Sequence, residues 1–159
     1  MEPVGYRNAN EVLRLSEEGR FLVSFRGNPT QNFTAFSMLI TMAEKTYDWP
    51  PTSDNRAKHL PSRVYELGWD YLVKKFSMGL VDHDMIYQSD DVDRLVELRH
   101  QSALNRISKA ASFLQQQGLI KKIRKENIRK EIPAAWLLLL GDDAENREVE
   151  AYARECLGL

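Results

Sequence analysis

Apolar positions mark out most of the elements along this chain. Leu104, Ile107, Ala111 and Leu114 recur at i, i+3, i+7 and i+10, which predicts a helix over Ser102–Gln117 with a stop at Gly118. Phe36, Leu39, Ile40 and Ala43 carry the same period behind Asn32, a cap residue, and predict a helix over Thr34–Thr46. Between them, the segment SRVYELGWDYLVKKF reads as helical from Ser62. Gly68 interrupts it, leaving a helix Trp69–Ser77 with Trp69, Leu72, Val73 and Phe76 inward.

Other stretches follow the strand period or give weaker signals. Phe21 to Arg26 alternates, predicting a short strand that ends at Gly27-Asn28-Pro29. Leu119–Arg124 and Ala134–Leu140 predict two further strands joined by the polar tip KENIRKEIP. A short helix carrying Val12, Leu13 and Leu15 should stop at Gly19. Another, from about Asp142 to Leu157, has Val149, Tyr152, Ala153, Cys156 and Leu157 on one side. Thr52–His59 reads as a loop, SMGLVDHDMIYQ as loop or short strand, and Ser89-Asp90 as the cap of an acidic helix start.

Helix, helix, helix, strand, hairpin, strand is the order of a winged helix-turn-helix. The expected fold class is therefore mostly α (α+β), with a two-stranded wing and a core over about residues 32–140. An N-terminal helix and strand (1–31) and a C-terminal helix (142–157) are additions within one 159-residue domain.

Charge sharpens this picture. The chain has a net charge of −1, yet residues 99–130 hold nine Lys/Arg and one acid, Glu126, a local excess of +8. A field of that size attracts a polyanion whatever the total charge. On the helical wheel, Ser102, Asn105, Arg106, Lys109, Ser112 and Gln116 lie opposite the apolar stripe, on a face without an acid. Arg can read guanine, Asn and Gln can read adenine, and Ser and Lys can hold phosphate oxygens. Lys121, Lys122, Arg124, Lys125, Arg129 and Lys130 on the hairpin could straddle a phosphate strand or enter a minor groove. Six to eight phosphate contacts would give a log–log salt slope of about −5 to −7.

Other chemistry finds little support. His59, His83 and His100 are scattered, and Asp82-His83-Asp84 is too local to converge on one ion. Walker, GxGxxG and GxSxG motifs are absent, so catalytic residues, metal ligands and cofactors are each expected to be none. No apolar run approaches membrane-helix length and no secretory leader is visible. One cysteine, Cys156, allows no internal disulfide, so the expected compartment is cytoplasmic.

Two segments, SRVYELGWDYLVKKFSMG and ALNRISKAASFLQQQGLIKKI, resemble helix-turn-helix proteins of actinobacterial phages and plasmids. The matching residues are Arg63, Tyr65, Gly68, Trp69 and Leu72, then Leu114, Gly118, Leu119 and Ile120, with the acidic insert Val81–Glu97 between the segments. The resemblance implies a mobile-element protein of replication initiation or transcriptional control.

The expected function is sequence-specific binding of double-stranded DNA without enzymatic activity. The alternative is a winged-helix scaffold docking a protein through its acidic surface, Phe113 and the C-terminal stripe. RNA binding ranks third, because exposed aromatics are not interleaved with the basic run. The C-terminal stripe could pack within the chain or support a homodimer.

Overall fold

The structure is a computed structural model, and it describes residues 4–88 and 91–159. It is a mixed α+β arrangement with two small antiparallel sheets. Helix α1 (Tyr6–Glu17) packs on α2 (Phe33–Glu44), and between them β1 (Leu22–Phe25) and β2 (Asn28–Gln31) form a hairpin. After α3 (Ser53–Ala57) come β3 (Val64–Tyr65), α4 (Gly68–Lys75), α5 (His83–Gln88) and the long α6 (Val92–Gln116). The chain finishes with β4 (Ile120–Arg124), β5 (Ala135–Leu138) and α7 (Asp143–Leu157).

The second sheet has the order β3-β5-β4, with β5 antiparallel to both neighbours. That position explains the run AAWLLLL. Trp136 and Leu138 enter the main core with Tyr65, Leu72, Ile107 and Leu114. Ala135 and Leu137 face the other way, onto Val64, Ile123, Val149 and Ala153. A strand covered on both faces has no polar side to show. Helix α7 therefore lies on the outer face of its own chain's sheet, with Val149 and Ala153 buried there and Leu157 half-buried against them. Tyr152 Oη also donates to the Leu60 carbonyl at 2.9 Å.

A buried polar junction ties the termini to the middle. Arg63, 3% exposed, donates through Nε to Asn8 Oδ1 at 3.0 Å and pairs with Glu145 at 3.2 Å. Asn8 in turn donates to Thr46 Oγ1 at 2.9 Å and to the Tyr47 carbonyl at 2.8 Å. A guanidinium so far from water needs these acceptors, since losing a partner of a buried charge is strongly destabilising.

Several expectations are corrected. Residues 62–67 are not helical: Val64 and Tyr65 form β3 opposite Leu137 and Trp136, and the helix starts at Gly68 (φ 76°). The strand ends before Gly27-Asn28-Pro29 as expected, but a second strand follows that the sequence reading did not include. Arg26 and Gly27, at φ 50° and 79°, turn the chain back, and Asn28–Gln31 pairs with β1 as a hairpin. Thr52 caps the short helix α3 where a loop was expected, by accepting from Asn55 N at 3.1 Å. Residues 83–88 are helical rather than loop or strand. Ser89 and Asp90 lie outside the described residues; the side chain that caps α6 is Asp91, which accepts from Arg94 N at 3.0 Å.

Candidate nucleic-acid interface

The expected reading helix is the second part of a 25-residue helix, beginning ten residues earlier than its apolar period suggests. Ala103, Ile107, Ala110, Ala111 and Leu114 are buried, while Leu104 and Phe113 are half-buried against the main core. This settles Phe113 as a packing residue. Ser102, Asn105, Arg106, Lys109, Ser112 and Gln116 are all exposed on the opposite side, as the helical wheel requires. From Leu98 to Gln116 the helix carries no acid. Among the described residues, Arg106 and Lys109 have no salt-bridge partner.

Local bonds orient two of the polar side chains. Asn105 Oδ1 accepts from Gln101 Nε2 at 3.1 Å, which leaves the amide NH2 pointing elsewhere as a donor. Ser112 Oγ donates to the Ser108 carbonyl at 3.1 Å and so keeps its lone pairs for an incoming donor.

The helix ends as the sequence suggests. Gly118 adopts φ 69°, and Leu119 N donates back to the Leu114 carbonyl at 2.9 Å, turning the chain into β4.

The hairpin cations divide into two groups of three. Lys121 Nζ pairs with Glu150 Oε1 at 2.8 Å, and Arg154 Nε reaches the same oxygen at 3.0 Å. The Lys121 hydrogen bond, with help from Arg154, holds the Glu150 carboxyl below the usual carboxylate range. Lys122 Nζ sits 4.9 Å from the centroid of the Trp136 ring, a cation–π contact. Arg124 pairs with Glu66 at 2.5 Å and donates to the Pro133 carbonyl at 2.9 Å. These three therefore have partners within the chain, although Lys121 and Lys122 remain exposed. Each partner is distant in sequence, which is why charge alone did not separate them.

Lys125, Arg129 and Lys130 remain exposed at the tip, and none has a salt-bridge partner among the described residues. A 3-10 turn, Ile128–Lys130, shapes it, with Asn127 Oδ1 accepting from Lys130 N at 3.2 Å. Asn127 and Ile132 exchange backbone hydrogen bonds at 2.8 and 3.0 Å and close the loop. Glu126 and Glu131 share the tip, so residues 125–131 carry a net charge of only +1. Sequence reading missed Ile128, which stands 86% exposed between these cations. Its signal was a lone apolar residue inside an otherwise polar turn.

The matched residues of the first resemblance segment have structural places. Arg63 is the buried junction, and Tyr65 Oη donates to the Gly68 carbonyl at 2.7 Å, with burial pushing its phenol pKa up. Trp69 lies between Tyr65 and Trp136, at centroid distances of 6.3 and 4.9 Å. Elsewhere, a cleft of about 630 Å³ opens beside the start of α1, but Asp48 already accepts from Arg7 N and Asn8 N there. Among the described residues no helix is long and apolar enough to cross a membrane, and no group of three His, Cys, Asp or Glu is placed to hold a metal ion. Comparison with known proteins gives no matching family, no matching curated protein and no matching solved structure.

Proposed function

We propose that this chain is a winged helix-turn-helix protein that binds double-stranded DNA sequence-specifically, without catalysis. The observation that carries the reading is the outer face of α6. It presents six exposed polar or basic side chains on a stretch with no acid, and that stretch leads directly into a hairpin with three cations at its tip that have no salt-bridge partner among the described residues. The fold half of the proposal is supported by connectivity. Helix α2, strand β3, helices α4 and α6, and strands β4 and β5 follow one another, and β5 lies between β3 and β4. The insertion of α5 and the early start of α6 are departures from the simplest such core.

The geometry constrains how DNA would be met. Asp93 and Glu97 on the first turns of α6 would repel phosphates, so the helix presents the outer face of Ser102–Gln116 rather than its N-terminal tip. Arg106 and Asn105 supply base-reading chemistry, and Lys109 and Ser112 supply phosphate contacts. Ile128, flanked by Arg129 and Lys130, has the composition of an apolar wedge for a minor groove.

With Lys121, Lys122 and Arg124 partnered within the chain, five cations remain: Arg106, Lys109, Lys125, Arg129 and Lys130. The expected log–log salt slope becomes about −4 to −5. Selection of bound duplexes from a random DNA pool tests the reading: enrichment of one motif supports it, and recovery of no motif at low salt refutes it. A role in transcription or replication of a mobile element is the resemblance's contribution to this proposal.

The protein-docking alternative draws less support from two of its three surfaces, since Phe113 is half-buried against the main core and Val149 and Ala153 of the α7 stripe pack on the sheet. What remains for it is the acidic and apolar segment around α5 and the start of α6.

A further inference from the structure

We propose that the β1–β2 hairpin is a second DNA-binding element, its Phe25-Arg26 tip entering the minor groove of the duplex that α6 reads. The inference rests on the DNA-binding reading and adds a contact to it. The chain carries 23 acids in 159 residues, yet none lies between Gly19 and Ala43. Glu18, the acid just before this stretch, is held by Arg14 at 2.6 Å. Arg20 and Arg26 therefore stand on a hairpin with no carboxylate of its own to repel phosphate.

The tip is built on an uncommon choice of residue. Arg26 (φ 50°) and Gly27 (φ 79°) make a two-residue turn, across which Phe25 pairs with Asn28. Such a turn favours Asn, Asp or Gly at its first central position, because a longer side chain is strained there. Arginine holds that place here. Its guanidinium lies 5.2 Å from the centroid of the Phe25 ring, and among the described residues it has no salt-bridge partner. Phe21, Val23 and Phe25 alternate onto one side of the strand. Phe21 is fully buried and meets Phe36 edge-on, Val23 is half-buried, and Phe25 is 60% exposed, so this apolar side leaves the body at the tip. An exposed ring beside such an arginine has the chemistry of a minor-groove wedge. The ring lies against sugars and base edges, and the guanidinium sits in the negative potential of the groove.

The base of the hairpin is tied to the reading helix. Arg20 Nη2 donates to the Gln117 carbonyl at 2.7 Å, one residue beyond Gln116 of the outer face. Asn32 N donates to the Phe21 carbonyl at 2.8 Å, and Gln31 Nε2 donates to Ser16 Oγ at 2.9 Å. Both hairpins thus depart from the C-terminal end of α6, β4–β5 through Gly118 and β1–β2 through Arg20. From Arg20 to Arg26 an extended chain spans about 20 Å, at ~3.3 Å per residue. A minor groove lies about half of a ~34 Å helical turn from a helix seated in the major groove. The hairpin is long enough to reach it.

Tethered cleavage of the duplex selected by the wild-type chain tests the proposal. Asn28→Cys in a Cys156→Ser background, carrying iron–EDTA, should cut beside the selected motif with the strand offset of minor-groove attack. Arg26→Gly keeps the turn, since glycine takes a positive φ without strain, so its Tm should hold or rise. Its affinity should nevertheless fall about five- to tenfold at ~0.1 M salt, with a salt slope shallower by about 0.9, the loss of one cation from the DNA. Phe25→Ser should weaken binding and leave the slope unchanged. Wild-type affinity in both variants, or no cleavage from position 28, overturns the proposal and leaves the α6 reading standing. So does a hairpin that binds a protein while its substitutions leave DNA affinity untouched. A wild-type chain that selects no duplex removes the α6 reading, and this proposal with it.

Discussion

The two halves of α6 share one helix and one apolar stripe but meet different surroundings. Residues 103–114 place Ile107 and Leu114 at 0% exposure in the main core and turn a basic face outward. Residues 92–98 carry the same stripe past the body, with Val96 at 45% exposure and acids alongside. Periodicity alone does not separate them; the difference comes from whether α2 and α4 lie beneath. The same backbone element is thus packed into the main core along one part and exposed along the other.

The sharpest way to break this comparison is by substitution along the stripe. Ile107→Ala should lower unfolding stability by about 2–4 kcal/mol, through lost burial and a residual cavity, in urea denaturation. Val96→Ala in dilute protein should change it by no more than about 0.5 kcal/mol. Similar losses at the two sites would mean that the overhang is packed within one chain.

A smaller effect separates the partnered hairpin cations from those at the tip. Exchanging Lys125, Arg129 and Lys130 for Ala should make the salt slope of DNA binding shallower by about 2.7, at about 0.9 per lost phosphate contact. The same change at Lys122 should leave the slope nearly unaltered while loosening its contact with Trp136. Filter binding at several salt concentrations reads both.

The smallest effect concerns Glu150. Its carboxyl is held low by Lys121 and then Arg154, so the pair stabilises the fold above the unfolded carboxylate pKa, and this contribution is lost as pH falls through the lower folded value. Glu150→Gln should therefore flatten the acid limb of a stability–pH profile slightly. It also frees Lys121, which should steepen the salt slope by up to about 0.9 if that lysine then reaches phosphate.

What could be read from the sequence follows from how local each signal is. The Gly118 stop, the 3.6-residue stripe around Ile107 and the β4–β5 hairpin depend on nearby residues, and each is present. All six outer-face residues of α6 lie where the wheel puts them. Strand β3 was hidden because two residues inside a helix-like segment become a strand only by pairing with Leu137 and Trp136. The ion pairs of Lys121 and Arg124 were hidden for the same reason, since Glu150 and Glu66 lie 29 and 58 residues away. The overhang of α6 was missed because Arg99 and His100 interrupt its apolar period, although neither residue breaks a helix.

The measurement that bears most directly on the central claim is a gel shift at moderate salt on a duplex selected by the wild-type chain. Wild type is compared there with the double substitution Arg106→Ala and Lys109→Ala. Both residues are exposed, so the variant should keep its circular dichroism and Tm. Its affinity for the selected duplex should fall at least about tenfold, the loss of one base-reading contact, with a smaller change on unrelated DNA. Equal affinity of the two proteins for the selected duplex would contradict the assignment of α6 as the DNA-reading helix.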